Sequence, residues 1–342
     1  MKHILVGSTG FVGSNLLRTA VPAFDAAYHR TDIQEAYGTH PGLLVYAGVT
    51  AAKFLANKDE AADLAVVRAA AENIERIAPR RLVLISTIDV LPPEARVGAD
   101  ETAAIDLAAC DAYGRNRRKL ELWAMEHVPG TLVVRLPALF GPGLKKNFLF
   151  DLLHPVPTML AAAKYEELAQ DPAIRDAYAL QPNGFYACRL PLAGRDVLLP
   201  HFERAGFTAL AFTDHRSTYQ FYGLHHLWTD IEKALAADIP LLHLAMEPVS
   251  AGETYQYIYR GTKPPFTNEL PKTPARYDYR TRYAATGYFQ SKEQVLAEIA
   301  AFLHTAASLS EGGGPRSGGG SSKVLEPDKN AGSAKVLGEV SQ

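Results

Sequence analysis

Three glycines at GxxGxxG spacing stand near the start of the chain, in Gly7-Ser8-Thr9-Gly10-Phe11-Val12-Gly13, directly after the apolar run 3–6. A strand that turns sharply into a helix presents unpaired backbone N–H groups and a positive dipole end, which together hold an anion. Gly7 permits the turn, Gly10 lets a pyrophosphate approach the backbone, and Gly13 lets the helix pack closely on the sheet. The chemistry this spacing serves is dinucleotide binding, with Thr9, Phe11 and Val12 of the same turn as further contacts. About twenty positions on, an acidic residue would serve the ribose 2′-OH of NAD and a basic one the 2′-phosphate of NADP. The stretch there reads Tyr28-His29-Arg30-Thr31-Asp32. Arg30 and Asp32 pull in opposite directions, and the reading leans to NADP through Arg30.

The elements that must position this turn alternate. Residues 3–6, 23–28, 43–46, 82–85 and 131–134 read as strands. Residues 10–20, 59–78 and 112–127 carry helical spacing, and Pro79 closes the second of these helices. Such alternation predicts an α/β fold, a doubly wound parallel sheet with helices on both faces. The second half is richer in Pro, Tyr and loops, with helices expected near 222–237, 250–260 and 291–306. Ser250 with Glu253 and Ser291 with Gln294 form capping-box patterns at two of these starts. The expected division is a dinucleotide-binding domain over 1–154, extended by segments returning from 185–245. A smaller α+β substrate portion over 155–309 follows, then a flexible tail over 310–342. From 311 to 342 there are eight glycines and no aromatic residue, too little apolar surface to offset ordering entropy.

With Thr87 ending the fourth strand (Leu84-Ile85-Ser86-Thr87-Ile88-Asp89) and Tyr113 opening the next helix (Tyr113-Gly114-Arg115-Asn116-Arg117), the sequence resembles the extended short-chain dehydrogenase/reductases. These are the Rossmann-type epimerases, dehydratases and ketoreductases of sugar nucleotides. The resemblance implies hydride transfer at a sugar carbon. Tyr113 would be the acid/base, Thr87 its hydroxyl partner with Ser86 beside it, and Ala47, Gly48 and Pro137 would be cofactor neighbours. The family carries lysine four residues after the tyrosine, and this chain carries Arg117. A tyrosine of ordinary pKa near 10 needs a fixed cation to exchange protons near pH 7. Arginine is permanently charged and can supply one, though its fork is bulkier. The departure keeps a non-catalytic dinucleotide-binding protein open as the alternative.

On the substrate side, Ala138 stands where many nucleotide-sugar members have asparagine. Lys145-Lys146-Asn147-Phe148 is similar to a segment of the dTDP-4-dehydrorhamnose reductase group, which makes Lys146 and Asn147, with Asp89, the substrate-binding candidates. No acidic pair follows Asp89, which disfavours a dehydratase and leaves epimerase or ketoreductase. The resemblance further implies a homodimer paired through helices 59–78 and 112–127.

The composition sets outer limits. Hydrophobic residues are 47 %, charged residues 21 %, and 35 basic against 37 acidic residues leave a net charge of -2. That argues against electrostatic capture of nucleic acid or an anionic membrane. Two cysteines make neither a disulfide framework nor a four-thiolate metal site. His225 and His226, adjacent in a helical pattern, point about 100° apart and are not expected to share a metal. The opening apolar run of about four residues is too short for a secretory signal, so a cytoplasmic location with reduced thiols is expected.

Overall fold

The computed structural model describes residues 2–20 and 24–311. The fold is a doubly wound parallel sheet. Six strands run in the order Leu241–His243, β5 (Leu132–Leu136), β4 (Leu82–Thr87), β3 (Leu43–Tyr46), β1 (His3–Val6) and β2 (Ala26–Tyr28). Every neighbouring pair is parallel. The unbroken apolar character of these strands follows from burial on both faces. Alternate residues go to opposite sides: Leu5, Val45, Val83 and Val134 join one core layer, while Ile4, Val6, Leu44, Leu82 and Val133 join the other.

The first layer is covered by α1 (Phe11–Thr19), helix Leu227–Ala236 and helix Lys292–Glu311, through Leu16, Ile231 and Ile299. The second is covered by α3 (Glu60–Ile77) and α4 (Ala112–His127), through Val67, Ile74, Leu120 and Ala124. A short α2 (Lys53–Lys58) precedes α3. The Asp59 side chain accepts from the Ala62 N–H at 3.0 Å and the Asp111 side chain from the Gly114 N–H at 2.8 Å, which fixes where α3 and α4 begin. Each such cap stabilises its helix by about 1 kcal/mol.

Three expectations shift. The second strand, read as 23–28, spans Ala26–Tyr28, and residue 23 lies outside the described residues. The helix read over 222–237 starts later. Phe221–Gly223 is instead a strand paired in parallel with Ala138–Phe140, Leu224–His226 forms a 3-10 turn, and the α-helix follows. The helix read over 291–306 continues to Glu311, and the tail beyond it lies outside the described residues. The Ser250–Glu253 capping box forms in both directions, at 2.8 and 3.0 Å. Part of the second half has its own small core, in which Leu160, Ile174, Tyr178 and Phe202 pack beside a three-stranded antiparallel sheet.

Candidate active site

The site lies at the carboxyl edge of the sheet, where β1, β4 and β5 end. Gly7 takes φ +94°, and a Cβ on it would fall 2.4 Å from the Ala47 carbonyl oxygen. A Cβ on Gly13 would fall 2.1 Å from the Gly7 carbonyl oxygen. Both are distances that no side chain tolerates, so the turn is built around these two glycines and Ala47-Gly48 abuts it. Gly10 is the N-cap of α1 and offers no side-chain cap. The first N–H groups of α1 are therefore left to a ligand or water. The residues present fit a pyrophosphate there.

At the end of β2, Arg30 is exposed. Asp32 folds back on its own turn: its carboxylate accepts from the His29 backbone N–H at 2.6 Å and meets the His29 ring at 2.6 Å. The acidic side chain is thus occupied locally while the basic one extends outward.

Thr87 closes β4. Its Oγ1 accepts from the Asp89 N–H at 3.2 Å, which leaves its own proton to donate elsewhere. Thr87, Asp89, Pro137, Tyr219 and Tyr277 line a cleft of about 190 Å³. That is smaller than the roughly 300–1,000 Å³ of pockets enclosing a whole drug-sized ligand, and suits the reacting end of a longer molecule. Ser86, the preceding residue, faces the other way and donates to Glu121 at 2.6 Å.

Tyr113 sits in the first turn of α4, 7 % exposed, and its backbone N–H donates to Asn57 at 3.0 Å. It does not line the 190 Å³ cleft. Gly114 brings this turn against β4's exit loop, since a Cβ there would lie 2.1 Å from the Asp89 carbonyl oxygen. Arg117 lies over the Tyr113 ring with its guanidinium carbon 3.8 Å from the centroid. It donates to Asp63 at 2.5 Å, to the Thr50 carbonyl at 2.6 Å and to the Tyr113 carbonyl at 3.3 Å. Its charge is therefore paired with a carboxylate on α3 as well as placed beside the tyrosine.

Asp89 is the centre of a polar cluster that the sequence did not announce. It takes a hydrogen bond from Tyr277 at 2.8 Å and ion pairs from Lys53 at 3.1 Å and Arg96 at 3.2 Å. Burial alone would push its carboxyl up, but Lys53, Arg96 and Tyr277 outweigh burial and hold it below the ordinary carboxylate range. Burial, and then the Asp89 charge, push the Tyr277 phenol well up. Lys53 and Tyr277 come from segments 36 and 188 residues away from Asp89, and nothing in their spacing links them to it.

Asn147 is spent on the backbone. Its oxygen accepts from the Leu149 and Phe150 N–H groups at 3.0 and 3.2 Å, and its amide donates to the Leu139 carbonyl at 2.9 Å. Lys146 reaches the Ala51 carbonyl at 3.0 Å, bridging the loop after β3 to the segment after strand Ala138–Phe140. The structure thus brings Thr87, Asp89 and Pro137 to one cleft, with the Tyr113 turn packed behind it. It turns Ser86 and the Asn147 amide to structural contacts.

No protein-family model and no curated protein matches the sequence. Solved structures do. A dTDP-4-dehydrorhamnose reductase from Bacillus anthracis, in complex with NADP, matches at 16 % identity and a TM-score of 0.55, covering 89 % of this chain and 99 % of that one. A UDP-N-acetylglucosamine 4-epimerase from Methanobrevibacter ruminantium, in complex with UDP-N-acetylmuramic acid, matches at 9 % identity and a TM-score of 0.60, covering 90 % and 98 %. The Bordetella bronchiseptica enzyme WbmG, in complex with NAD and UDP, matches at 13 % and 0.59, covering 90 % and 96 %. The chain therefore has the Rossmann-type α/β fold of these solved structures.

Proposed function

We propose that the protein is an NAD(P)-dependent enzyme that transfers hydride on a sugar nucleotide or related activated sugar, as a ketoreductase or an epimerase. The observation that carries this is the Gly7–Gly13 turn: its contacts leave the N-terminus of α1 open to a pyrophosphate at the same sheet edge where Thr87 and Pro137 line a cleft. Bound there, the nicotinamide supplies or receives the hydride. Thr87 donates its hydroxyl proton to the reacting oxygen. Tyr113, in the helix turn packed behind that cleft, is the candidate to exchange the proton of that oxygen, and Arg117, stacked on its ring, holds the phenol in place. Arg30, exposed while Asp32 is tied to His29, supports NADP over NAD. A preference for NADP in turn supports the ketoreductase. Residues 1–154, completed by strand Leu241–His243, would hold the cofactor and 155–309 the substrate.

The test is loss of the reduced-nicotinamide absorbance when purified protein meets NADPH or NADH and a panel of 4-keto nucleotide sugars. Consumption of NADPH, lowered at least about 100-fold in Tyr113→Phe with cofactor binding retained, is the expected result. An unchanged rate in that variant would remove Tyr113 from the chemistry.

A second reading, a dinucleotide-binding protein without turnover, draws on the Arg117–Asp63 pair, which neutralises the cation expected beside the tyrosine. Cofactor bound tightly yet never reduced or oxidised would favour it.

We also propose a homodimer. Between α3 and α4 lies a surface hollow of about 340 Å³ lined by Leu64, Val67, Ala71 and Trp123, flanked by Val66 and Leu122, both at least 40 % exposed. Pairing these two helices with those of a second copy would cover it. Light scattering is expected to give twice the chain mass, and the monomer mass would reject the pairing. Among the described residues no helix is long and apolar enough to cross a membrane.

A further inference from the structure

On the sheet face opposite α3 and α4, two histidines and a glutamate converge. The 3-10 turn Leu224–His226 replaces the α-helix expected there, and it changes where the adjacent rings point. The His225 and His226 ring centroids stand 3.9 Å apart rather than diverging. His226 Nε2 lies 2.9 Å from Glu298 Oε1, and His225 Nε2 lies 3.7 Å from Glu298 Oε2. One donor atom from each of the three residues falls within 4.8 Å of the other two.

Two features indicate a built cluster. A Cβ on Gly223 would fall 2.6 Å from the His225 ring, so the absence of a side chain there gives that ring its present room beside Glu298. Glu298 Oε2 is buried and has no hydrogen-bond partner among the described residues. His225 at 3.7 Å is beyond hydrogen-bond reach of it. A buried carboxylate oxygen left without a donor is unfavourable, and a cation removes that penalty.

We propose that His225, His226 and Glu298 form a binding site for a divalent transition-metal ion of the zinc class. Zinc–nitrogen and zinc–oxygen bonds of about 2.0–2.2 Å place tetrahedral donors about 3.3 Å apart. The 3.7 Å between His225 Nε2 and the unpartnered Glu298 Oε2 is close to that value, and one donor atom from each residue lies within 4.8 Å of the others. Imidazole nitrogen with a single carboxylate is a donor set for zinc, nickel or copper rather than for calcium or magnesium. Gln290 donates to Glu298 Oε1 at 2.6 Å and orients the carboxylate from outside the donor set. Three protein donors leave a coordination position for water, and His225, 54 % exposed, opens it to solvent. Because Glu298 belongs to helix Lys292–Glu311 and the histidines to the turn that follows the strand paired with Ala138–Phe140, the ion would staple that helix to the sheet side of the molecule.

The experiment uses the full chain without a polyhistidine tag, stripped with chelator. It is titrated with Zn²⁺ by calorimetry and with Co²⁺ by visible absorbance, and its melting temperature is recorded with and without Zn²⁺. One equivalent bound at micromolar affinity or tighter, tetrahedral cobalt bands, and a melting temperature raised by several degrees in Zn²⁺ are expected. His225→Ala and Glu298→Gln should each weaken binding by at least about 100-fold, and Gln290→Ala by about 10-fold, the range of outer-shell partners. His40→Ala, elsewhere on the surface, should change nothing. Absence of stoichiometric binding, leaving a histidine–glutamate ion pair only, overturns the site, as does an affinity unchanged by His225→Ala. Should Glu298→Gln lose its native circular dichroism, His225→Ala, altering a half-exposed ring, decides alone.

Discussion

Two buried arginines meet carboxylates at α4, Arg135 pairing with Glu121 on that helix and Arg117 of the helix with Asp63 on α3, and their surroundings separate what they do. Arg135, on β5, is 1 % exposed. It grips Glu121 with two donors at 3.0 and 2.6 Å and gives a third to His243 at 3.0 Å. Ser86, Arg135 and His243 are register partners across three neighbouring strands, so this network is a polar row through the sheet under α4. Burial alone would push the Glu121 carboxyl up, but Arg135 outweighs it and keeps the acid ionised. Arg117 has a similar burial and a similar partner in Asp63, yet its other contacts are the Tyr113 ring and the carbonyl of Thr50, in the loop after β3. The first arginine holds strands together. The second holds the candidate acid and a cofactor-side loop to each other. Burial and pairing alone do not distinguish a structural charge from one that serves a site; the groups on its far side do.

The sharpest way to break this contrast is Arg135→Met. It removes the two-donor partner of Glu121, itself without solvent exposure, and leaves only Arg118 at 2.9 Å and the Ser86 hydroxyl, so a loss of about 3 kcal/mol in urea unfolding is expected. A loss below about 1 kcal/mol would mean the row does not hold the sheet.

His243 gives the next largest effect. It accepts from Arg135 and donates its Nδ1 proton to the Arg280 carbonyl at 3.0 Å. Burial, then the Arg135 charge, lowers its pKa to about 4 from 6.5. The unfolded chain therefore binds the extra proton first. The stability held by the neutral ring is complete above about pH 6.5 and is lost as pH falls toward about 4, by about 2–3 kcal/mol. Unfolding midpoints recorded across that window should fall more for the parent than for His243→Gln. Parallel curves would place the pH dependence elsewhere.

Arg117→Lys should have the smallest effect. The ammonium keeps the charge against Asp63 and loses the fork and the stacked face. About 1 kcal/mol of stability and less than about tenfold in turnover are expected to go. A loss of turnover equal to that of Tyr113→Phe would make Arg117 a catalytic residue in its own right.

The parts of this molecule that were legible in the sequence are those set by short-range backbone demands. Gly7 and Gly13 announce the turn because no other residue clears the 2.4 and 2.1 Å contacts. Pro79 announces the end of α3, and Ser250 with Glu253 the start of helix Ala251–Tyr259. The parts that were not legible depend on segments far apart. His243 lies 108 residues beyond Arg135, itself 14 beyond Glu121, and the three carry no common spacing. Tyr277 reaches Asp89 across 188 residues of chain. Phe221–Gly223 reads as readily helical as extended, and its pairing with Ala138–Phe140 decides the matter. Asn147 looked like a ligand contact because an asparagine beside two lysines suits phosphate. Its φ of +103° and its three backbone hydrogen bonds make it the cap that starts a helix.

The strand Leu241–His243 joins the sheet beside β5 only after residues 137–240 have been laid down. Until then, during synthesis, β5 is an outer strand whose edge backbone groups have no partner, and an unpaired edge of apolar residues invites pairing with other chains. The nascent chain is thus exposed to aggregation for the time it takes to make a further hundred residues, and a fragment ending near residue 154 would keep that exposure permanently. Closure of the sheet is a non-local event, in which the second half of the chain covers an edge that the first half leaves open.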